Sequence, residues 1–231
     1  MNTRLTIVLP VYNEGKNIVS VINAIQTHIT TPKEILVVYD FDGDDTIPVV
    51  KNIHNTQVKL VKGEGGLIRA IQAGFARATG EYVVVMPADR ADDPRVINHM
   101  LAKAEAGYDI VCATRYGKGG KKIGGGFLKT VLSRMAGMLT PLLLGIPITD
   151  ISNGYKLYTL KLIREIPITS NGGWEFAAEL TIKAFYKGYK ITEVPAVWRN
   201  RVSGVSKFHL MQWLPKYMYW YMWGITKRIG L

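Results

Sequence analysis

The stretch from Glu81 to Arg95, EYVVVMPADRADDPR, most constrains what this chain can become. Tyr82-Val83-Val84-Val85-Met86 is an unbroken apolar run bounded by turn residues, the pattern of a strand covered on both faces of a parallel sheet. It breaks at Pro87 and continues into Asp89, Asp92 and Asp93. In open parallel sheets, ligands lie outside the carboxyl ends of the strands. These carboxylates therefore leave the sheet where a ligand should lie. Asp-Asp-Pro also suits a helix start, so the stretch taken alone is equally a polar turn before a helix. Its neighbours bear on that choice.

Upstream, apolar runs alternate with helical periodicities. Residues 4–9 read as a strand ending in Pro10-Val11-Tyr12-Asn13-Glu14-Gly15. Lys16 to Ile29 places Ile18, Val21, Ile22 and Ile25 at the spacing of an amphipathic helix. Glu34 to Tyr39 is a second buried strand, running into Asp40-Phe41-Asp42-Gly43-Asp44-Asp45-Thr46. A helix from Ile47 to His54, a short strand Val58 to Val61 and a Gly63-Glu64-Gly65-Gly66 turn follow. Next comes a helix from Leu67 to Ala78, stopped by Thr79-Gly80. Beyond the carboxylates, Val96 to Gly107 reads as a helix and Tyr108 to Thr114 as a fifth strand ending at Arg115. This alternation predicts a mostly parallel α/β sheet built from right-handed crossovers. Its strand ends share one edge, so the turns Tyr12–Glu14, Asp40–Asp45 and Asp89–Asp93 are expected to converge. A nucleotide needs polar partners for base and ribose, and its diphosphate needs cations or a metal.

The second half is more basic. Lys118 to Gly126 (KGGKKIGGG) lacks P-loop spacing and is expected to be a mobile segment. Phe127 to Leu144 reads as an apolar helix carrying Lys129 and Arg134, with Pro141 as a kink or stop. Gly154 to Tyr158 is a short strand. Trp174 to Lys187 is a helix with Phe176, Leu180, Ala184 and Phe185 inward and Glu175 and Glu179 on one face. Lys190 to Val197 is a strand, and Trp198 to Lys207 is basic and flexible. The tail from Phe208 is rich in Tyr and Trp, with Lys216, Lys227 and Arg228. It suits a membrane interface, with Trp220 and Trp223 among the residues expected to meet lipid, or a helix packed on its own domain.

The formal charge is +11, which points to a polyanionic partner: nucleic acid, an anionic membrane surface or phosphorylated ligands. No nucleic-acid-binding module is visible. The single cysteine, Cys112, excludes an intrachain disulfide and sits in an apolar run, as a core residue does. The longest apolar stretches, Met135 to Ile148 and Tyr217 to Thr226, fall short of the roughly 20 residues a membrane span needs. The expectation is a peripheral protein on the cytoplasmic face of a membrane.

Together these residues resemble the family 2 glycosyltransferases, most closely the dolichyl-phosphate mannosyltransferase-like branch of polyprenyl-phosphate hexose synthases. The resemblance covers nearly the whole chain. It rests on Pro10-Val11-Tyr12-Asn13-Glu14, the acidic turn after the second strand, the Gly66–Gly80 helix, Ala88-Asp89 and Arg115. It continues through Asn153-Gly154-Tyr155-Lys156, Trp174-Glu175-Phe176 and Arg201-Val202-Ser203-Gly204-Val205-Ser206-Lys207. The implied fold is GT-A, with a nucleotide-sugar half at about 1–115, an acceptor half at about 116–206 and an interfacial tail at 207–231.

By that resemblance, Pro10, Tyr12, Glu14 and Asp40 hold the nucleoside, and Asp89 lies near the metal and diphosphate. Arg115 and Arg134 meet the acceptor phosphate, while Arg201, Ser206 and Lys207 close over the phosphates. The family's usual Asp-x-Asp, with a Gln two residues later, has Pro87 and Ala91 at two of its positions here. The implied divalent cation, Mg2+ or Mn2+, is therefore expected to bind loosely through Asp89, with Asp92 and Asp93 as further candidates. The implied reaction is inverting transfer of mannose or glucose from a GDP- or UDP-sugar to dolichyl or undecaprenyl phosphate. The alternatives are an alcohol acceptor, with Asp150 or Glu175 as base, and a weakened nucleotide-sugar-binding protein.

Overall fold

The computed structural model describes residues 3–200 and 210–230. In chain order the elements are β1 (Leu5–Pro10), α1 (Gly15–His28), β2 (Lys33–Tyr39), α2 (Thr46–Lys51), β3 (Val58–Lys62) and α3 (Leu67–Arg77). Next come β4 (Tyr82–Val85), α4 (Val96–Glu105), β5 (Ile110–Thr114), β6 (Lys121–Ile123) and α5 (Phe127–Leu139), which a π turn (Thr140–Leu144) continues. The chain proceeds through β7 (Lys156–Thr159), α6 (Leu160–Glu165), α7 (Phe176–Tyr186), β8 (Ile191–Pro195), β9 (Val197–Arg199) and α8 (Leu210–Arg228).

Seven strands form one sheet in the order β3-β2-β1-β4-β7-β5-β8. All run parallel except β7, which lies antiparallel between β4 and β5. The continuous apolar runs of β1, β4 and β5 are buried throughout, because helices cover both faces. On one face α1, α2 and α4 contribute Ile18, Ile22, Val50, Ile97 and Met100. On the other, α3, α7 and α8 contribute Ile71, Phe75, Phe176, Leu180 and Trp220. Each such side chain, fully buried, contributes about 1.5–3 kcal/mol.

The glycine-rich segment departs from its expectation. Lys121–Ile123 is a strand, paired parallel with Val197–Arg199. Gly119 (φ 87°) and Gly124 (φ 81°) turn the chain in and out of β6. These glycines therefore serve tight turns. The same pairing removes Trp198 from the segment read as flexible.

The apolar helix also differs from its expectation. Phe127–Leu144 is an 18-residue segment long and apolar enough to cross a membrane by length and composition, and 17% of it is buried. Lys129 and Arg134 interrupt the apolar run in the sequence, whereas the helix accommodates both. One side docks on the protein: the Tyr221 hydroxyl donates to the Ala136 carbonyl at 2.7 Å. At Gly137 a Cβ would stand 1.9 Å from the Thr149 carbonyl oxygen. Phe127, Leu128, Met138 and Leu142 remain exposed.

On α8, Trp220 is buried, and its indole N–H donates to Ser170 Oγ at 2.9 Å. The ring sits against Trp223 and Tyr219, with centroids 5.9 and 5.0 Å away. Trp220 is thus a packing residue of the domain, contrary to the membrane contact expected of it. Met218, Tyr219 and Met222 occupy the exposed side of α8.

Candidate active site

The loops after β1 and β2 meet at the carboxyl edge of the sheet. Asn13, in a left-handed conformation (φ 56°), donates its N–H to Asp44 Oδ1 at 3.1 Å. Glu14 N–H donates to Thr46 Oγ1 at 2.9 Å, and Gly15 N–H to Asp45 Oδ1 at 2.8 Å. Asn13 Oδ1 accepts the Asp45 N–H in return, at 3.2 Å. Asp44 and Asp45 therefore knit the two loops, a role the acidic turn alone did not reveal. The Glu14 carboxylate accepts from Asn17 Nδ2 at 2.6 Å, inside the first turn of α1.

Pro10 is buried at the end of β1, and Tyr12 projects into solvent with its ring centroid 4.9 Å from that of Phe41. Asp40 Oδ1 is buried and has no hydrogen-bond partner among the described residues. An aromatic pair beside an unpartnered carboxylate oxygen suits the face of a base and a ribose hydroxyl. Phe41 escaped the sequence reading because only its acidic neighbours matched a pattern.

The turn after β4 separates its carboxylates. Arg90 is left-handed (φ 63°) and reverses the chain. Asp89, half-buried within that turn, accepts the Ala91 N–H at 3.1 Å. Asp93 turns outward to Arg95, with Arg95 Nη2 2.6 Å from Oδ2, and that partner holds its carboxyl below the usual range. Asp92 turns inward; burial, then the charge of Asp89, pushes its pKa up to about 7. Its Oδ1 is buried without a partner among the described residues.

These two mutually repelling carboxylates, one with an orphaned oxygen, fit a divalent cation. They supply fewer ligands than an all-protein cage, and no cluster of three metal-ligating side chains exists among the described residues. Mg2+ commonly takes one or two carboxylates and completes its shell with substrate phosphates.

Across from this turn, Arg115 leaves β5 and grips Asp150 in a bidentate pair, Nε to Oδ2 at 2.7 Å and Nη2 to Oδ1 at 2.8 Å. Nη2 also reaches Ser152 Oγ at 3.1 Å. Asp150 is fully buried and the Arg115 side chain is 12% exposed. The guanidinium expected to meet an acceptor is thus already bound to a carboxylate, which fixes its plane. Lys156, also fully buried, donates to the Ile151 carbonyl at 2.7 Å and to Thr181 Oγ1 at 3.1 Å. This fastens the turn after Asp150 to α7, and burial lowers the pKa of the ammonium.

Removing Asp150 should be costly, because it leaves Arg115 charged and buried. Asp150→Ala is expected to lose about 3–5 kcal/mol of stability. Urea denaturation measures it; a loss under 1 kcal/mol would mean the pair is solvated.

Glu175, which caps α7, and Glu179 within it both serve the preceding loop. Glu175 accepts the N–H groups of Gly172 and Gly173 at 2.9 and 2.7 Å. Glu179 accepts those of Thr169 and Ser170 at 2.6 and 2.9 Å. Their shared face was legible from the spacing of four; their partners came from a loop with no pattern of its own. Arg134 is exposed on α5, one residue past Ser133, whose hydroxyl bonds that of Tyr116. Arg201, Ser206 and Lys207 lie outside the described residues. The structure thus brings Asp89, Arg115 and Asp150 within electrostatic reach of Asp92, and the loops bearing Tyr12, Asp40 and Phe41 leave neighbouring parallel strands at the same sheet edge.

The model of Glycosyl transferase family 2 matches residues 6–166. Polyprenol monophosphomannose synthase of Mycolicibacterium smegmatis is 29% identical over 214 residues, covering 88% of this chain and 80% of that one. Dolichol-phosphate mannosyltransferase of Pyrococcus furiosus is 29% identical over 211 residues; this chain is covered to 88% and spans only 59% of that enzyme. Among solved structures, glucosyl-3-phosphoglycerate synthase from Mycobacterium tuberculosis with Mn2+, UDP and phosphoglyceric acid superposes with a TM-score of 0.70. It is 19% identical and covers 99% of this chain and 79% of that one, a likeness of fold. Sheet order and fold neighbours agree on GT-A, and the matched model spans the strand-end loops and the Arg115–Asp150 pair. This chain is a glycosyltransferase and belongs to glycosyl transferase family 2.

Proposed function

We propose that the chain transfers a hexose, mannose or glucose, from a nucleotide sugar to a polyprenyl phosphate at a membrane surface, with inversion. The observation that carries this reading is the continuity of the acceptor wall with the exposed apolar helix. Ser133 of α5 bonds Tyr116, the neighbour of Arg115, and Gly137 abuts Thr149, the neighbour of Asp150. A lipid lying along α5 would present its phosphate to that wall. The names of the two relatives, a polyprenol monophosphomannose synthase and a dolichol-phosphate mannosyltransferase, support the acceptor class.

In this reading, residues of about 1–115 hold the donor, with Pro10, Tyr12, Glu14 and Asp40 around the nucleoside. Residues of about 116–206 shape the acceptor side, and the segment from 207 adds interfacial surface. An acceptor phosphate oxygen attacks the anomeric carbon, and the bond from that carbon to the diphosphate breaks on the opposite face. The electron pair leaves on the nucleoside diphosphate. A phosphate monoester with a second pKa near 6 is already largely dianionic at pH 7, so no general base is required. Asp89, with the orphaned oxygen of Asp92, would hold a Mg2+ or Mn2+ ion that neutralises the leaving diphosphate. Arg115, locked by Asp150, sets a fixed positive field toward the acceptor, with Arg134 nearer the lipid. Arg201, Ser206 and Lys207 complete the phosphate contacts.

The docked side of α5 favours a helix lying on the bilayer over one surrounded by it. Radiolabelled GDP-mannose and UDP-glucose, each offered with polyprenyl phosphate in detergent, test the reading. Label is expected in the organic phase. Label transferred only to a water-soluble alcohol would overturn the lipid acceptor, and nucleotide-sugar binding without turnover would overturn the enzyme.

A further inference from the structure

Lys122 is a charged group for which the resemblance supplies no role. It lies half-buried on β6, its ammonium 2.8 Å from Thr130 Oγ1 on α5 and 5.4 Å from the centre of the Trp198 ring on β9. An ammonium carries three donors, and one hydroxyl uses one of them. None of the ion pairs among the described residues includes it. A Cβ at Gly125 would stand 3.4 Å from Lys122 Cε and 3.3 Å from Trp198, so the backbone itself closes over the side chain. The position is a built one: a lysine packed between an indole, a hydroxyl and a bare turn.

The charges that act on it are Arg115 from β5 and Lys129 from α5, both repulsive, and Asp150, attractive. Asp150 is already neutralised by Arg115. The local sum is therefore positive, in a partly dehydrated place, and an anion would relieve it. The Arg115 wall and the apolar helix flank it, which is where a lipid phosphate would arrive.

We propose that Lys122 is a further acceptor-binding residue, contacting the phosphate of the lipid acceptor beside Arg115 and Arg134. This rests on the acceptor reading above. Burial, and then the charge of Arg115, lowers the Lys122 pKa to about 8. A bound dianion favours the ammonium and raises that pKa. Below about pH 8 Lys122 is charged and the contact is fully present. Above it the free lysine is neutral, so binding must take up a proton and affinity declines as pH rises. Between pH 7 and pH 9 this predicts about a tenfold weakening.

The test is calorimetric titration of the full chain with farnesyl phosphate, a soluble isoprenyl monophosphate, and separately with inorganic phosphate, at pH 7 and 9. Wild type should weaken about tenfold with pH. Lys122→Met should bind about tenfold more weakly at pH 7 and lose the pH response. Lys122→Arg, charged throughout, should bind at both pH values alike, a rescue that a packing role would not produce. Circular dichroism melting checks that both variants fold. Unchanged farnesyl phosphate affinity in Lys122→Met, or a variant that keeps the wild-type pH profile, would overturn the assignment while leaving the acceptor reading intact. Inorganic phosphate binding that depends on Lys122, with no farnesyl phosphate binding, would keep the anion site and overturn the lipid acceptor. Binding of neither by wild type would overturn both.

Discussion

Asp89→Asn is expected to lower turnover at least a thousandfold, as loss of a group stabilising charge in a transition state does. The carboxylate lies half-buried in the turn that follows β4 and reverses at Arg90. Asparagine has the same shape and keeps an oxygen for the Ala91 N–H, now 3.1 Å away, so the turn should survive. The amide removes the negative charge that would hold a cation against the diphosphate. It also removes the repulsion that helps raise the Asp92 pKa. Single-turnover transfer with labelled donor measures the first effect, and thermal melting verifies the fold. Turnover within tenfold of wild type would move the diphosphate away from Asp89.

The second large effect concerns the membrane. Phe127, Leu128, Met138 and Leu142 are 84%, 60%, 61% and 68% exposed along one helix. At about 1–2 kcal/mol for each side chain partly withdrawn from water, replacing all four by Ser should reduce liposome partitioning at least a thousandfold. Because the lost contribution is apolar, lowering the salt should not restore it. The basic residues behave oppositely. On the proposed membrane reading, Lys118, Lys121 and Lys129 would contribute about 1 kcal/mol each near anionic lipid, a share that fades as salt screens it. Flotation with anionic vesicles across a salt series separates the two. If the Ser variant floated like wild type, the bilayer would lie against another face. Trp220→Ser belongs in the same experiment as a contrast. Its ring is buried against α7's loop and α8, so it should lower the melting temperature and leave partitioning of the folded protein unchanged.

The strands and helices of the first half were legible in the sequence, although the parts played by Phe41, Asp44 and Asp45 were not. Runs such as Glu34–Tyr39 and Tyr82–Met86 are too apolar and β-branched for anything but buried strands, and helices separate them at regular intervals. Convergence of the Asn13 and Asp44 turns then followed from the parallel direction. In the second half the decisive contacts are between segments distant in sequence and weak in pattern. β6 has three residues and pairs with a strand 76 positions later, so glycines that serve turns looked like slack chain. β7 enters antiparallel between β4 and β5, a direction that local sequence does not encode. The Arg115–Asp150 pair spans 35 residues, and the inward turn of Asp92 depends on a left-handed Arg90 that no propensity suggests. Aromatic content marked α8 as amphipathic without saying which rings face the protein.

At Gly137 the helix backbone and the Thr149 backbone meet with no side chain between them. Thr149 is itself pinned, its N–H to Glu193 at 2.6 Å and its hydroxyl to that of Thr114 at 2.8 Å. Helix and wall therefore have no compliant layer separating them and travel as one bracket. On the proposed reading, the level at which the helix settles among the headgroups fixes the altitude of Asp150 and Arg115 above the bilayer. It also fixes the altitude at which the acceptor phosphate must present itself. Turnover should then track how deeply the helix seats, through lipid packing and headgroup size, and be nearly indifferent to how far the acceptor's tail extends into the membrane below.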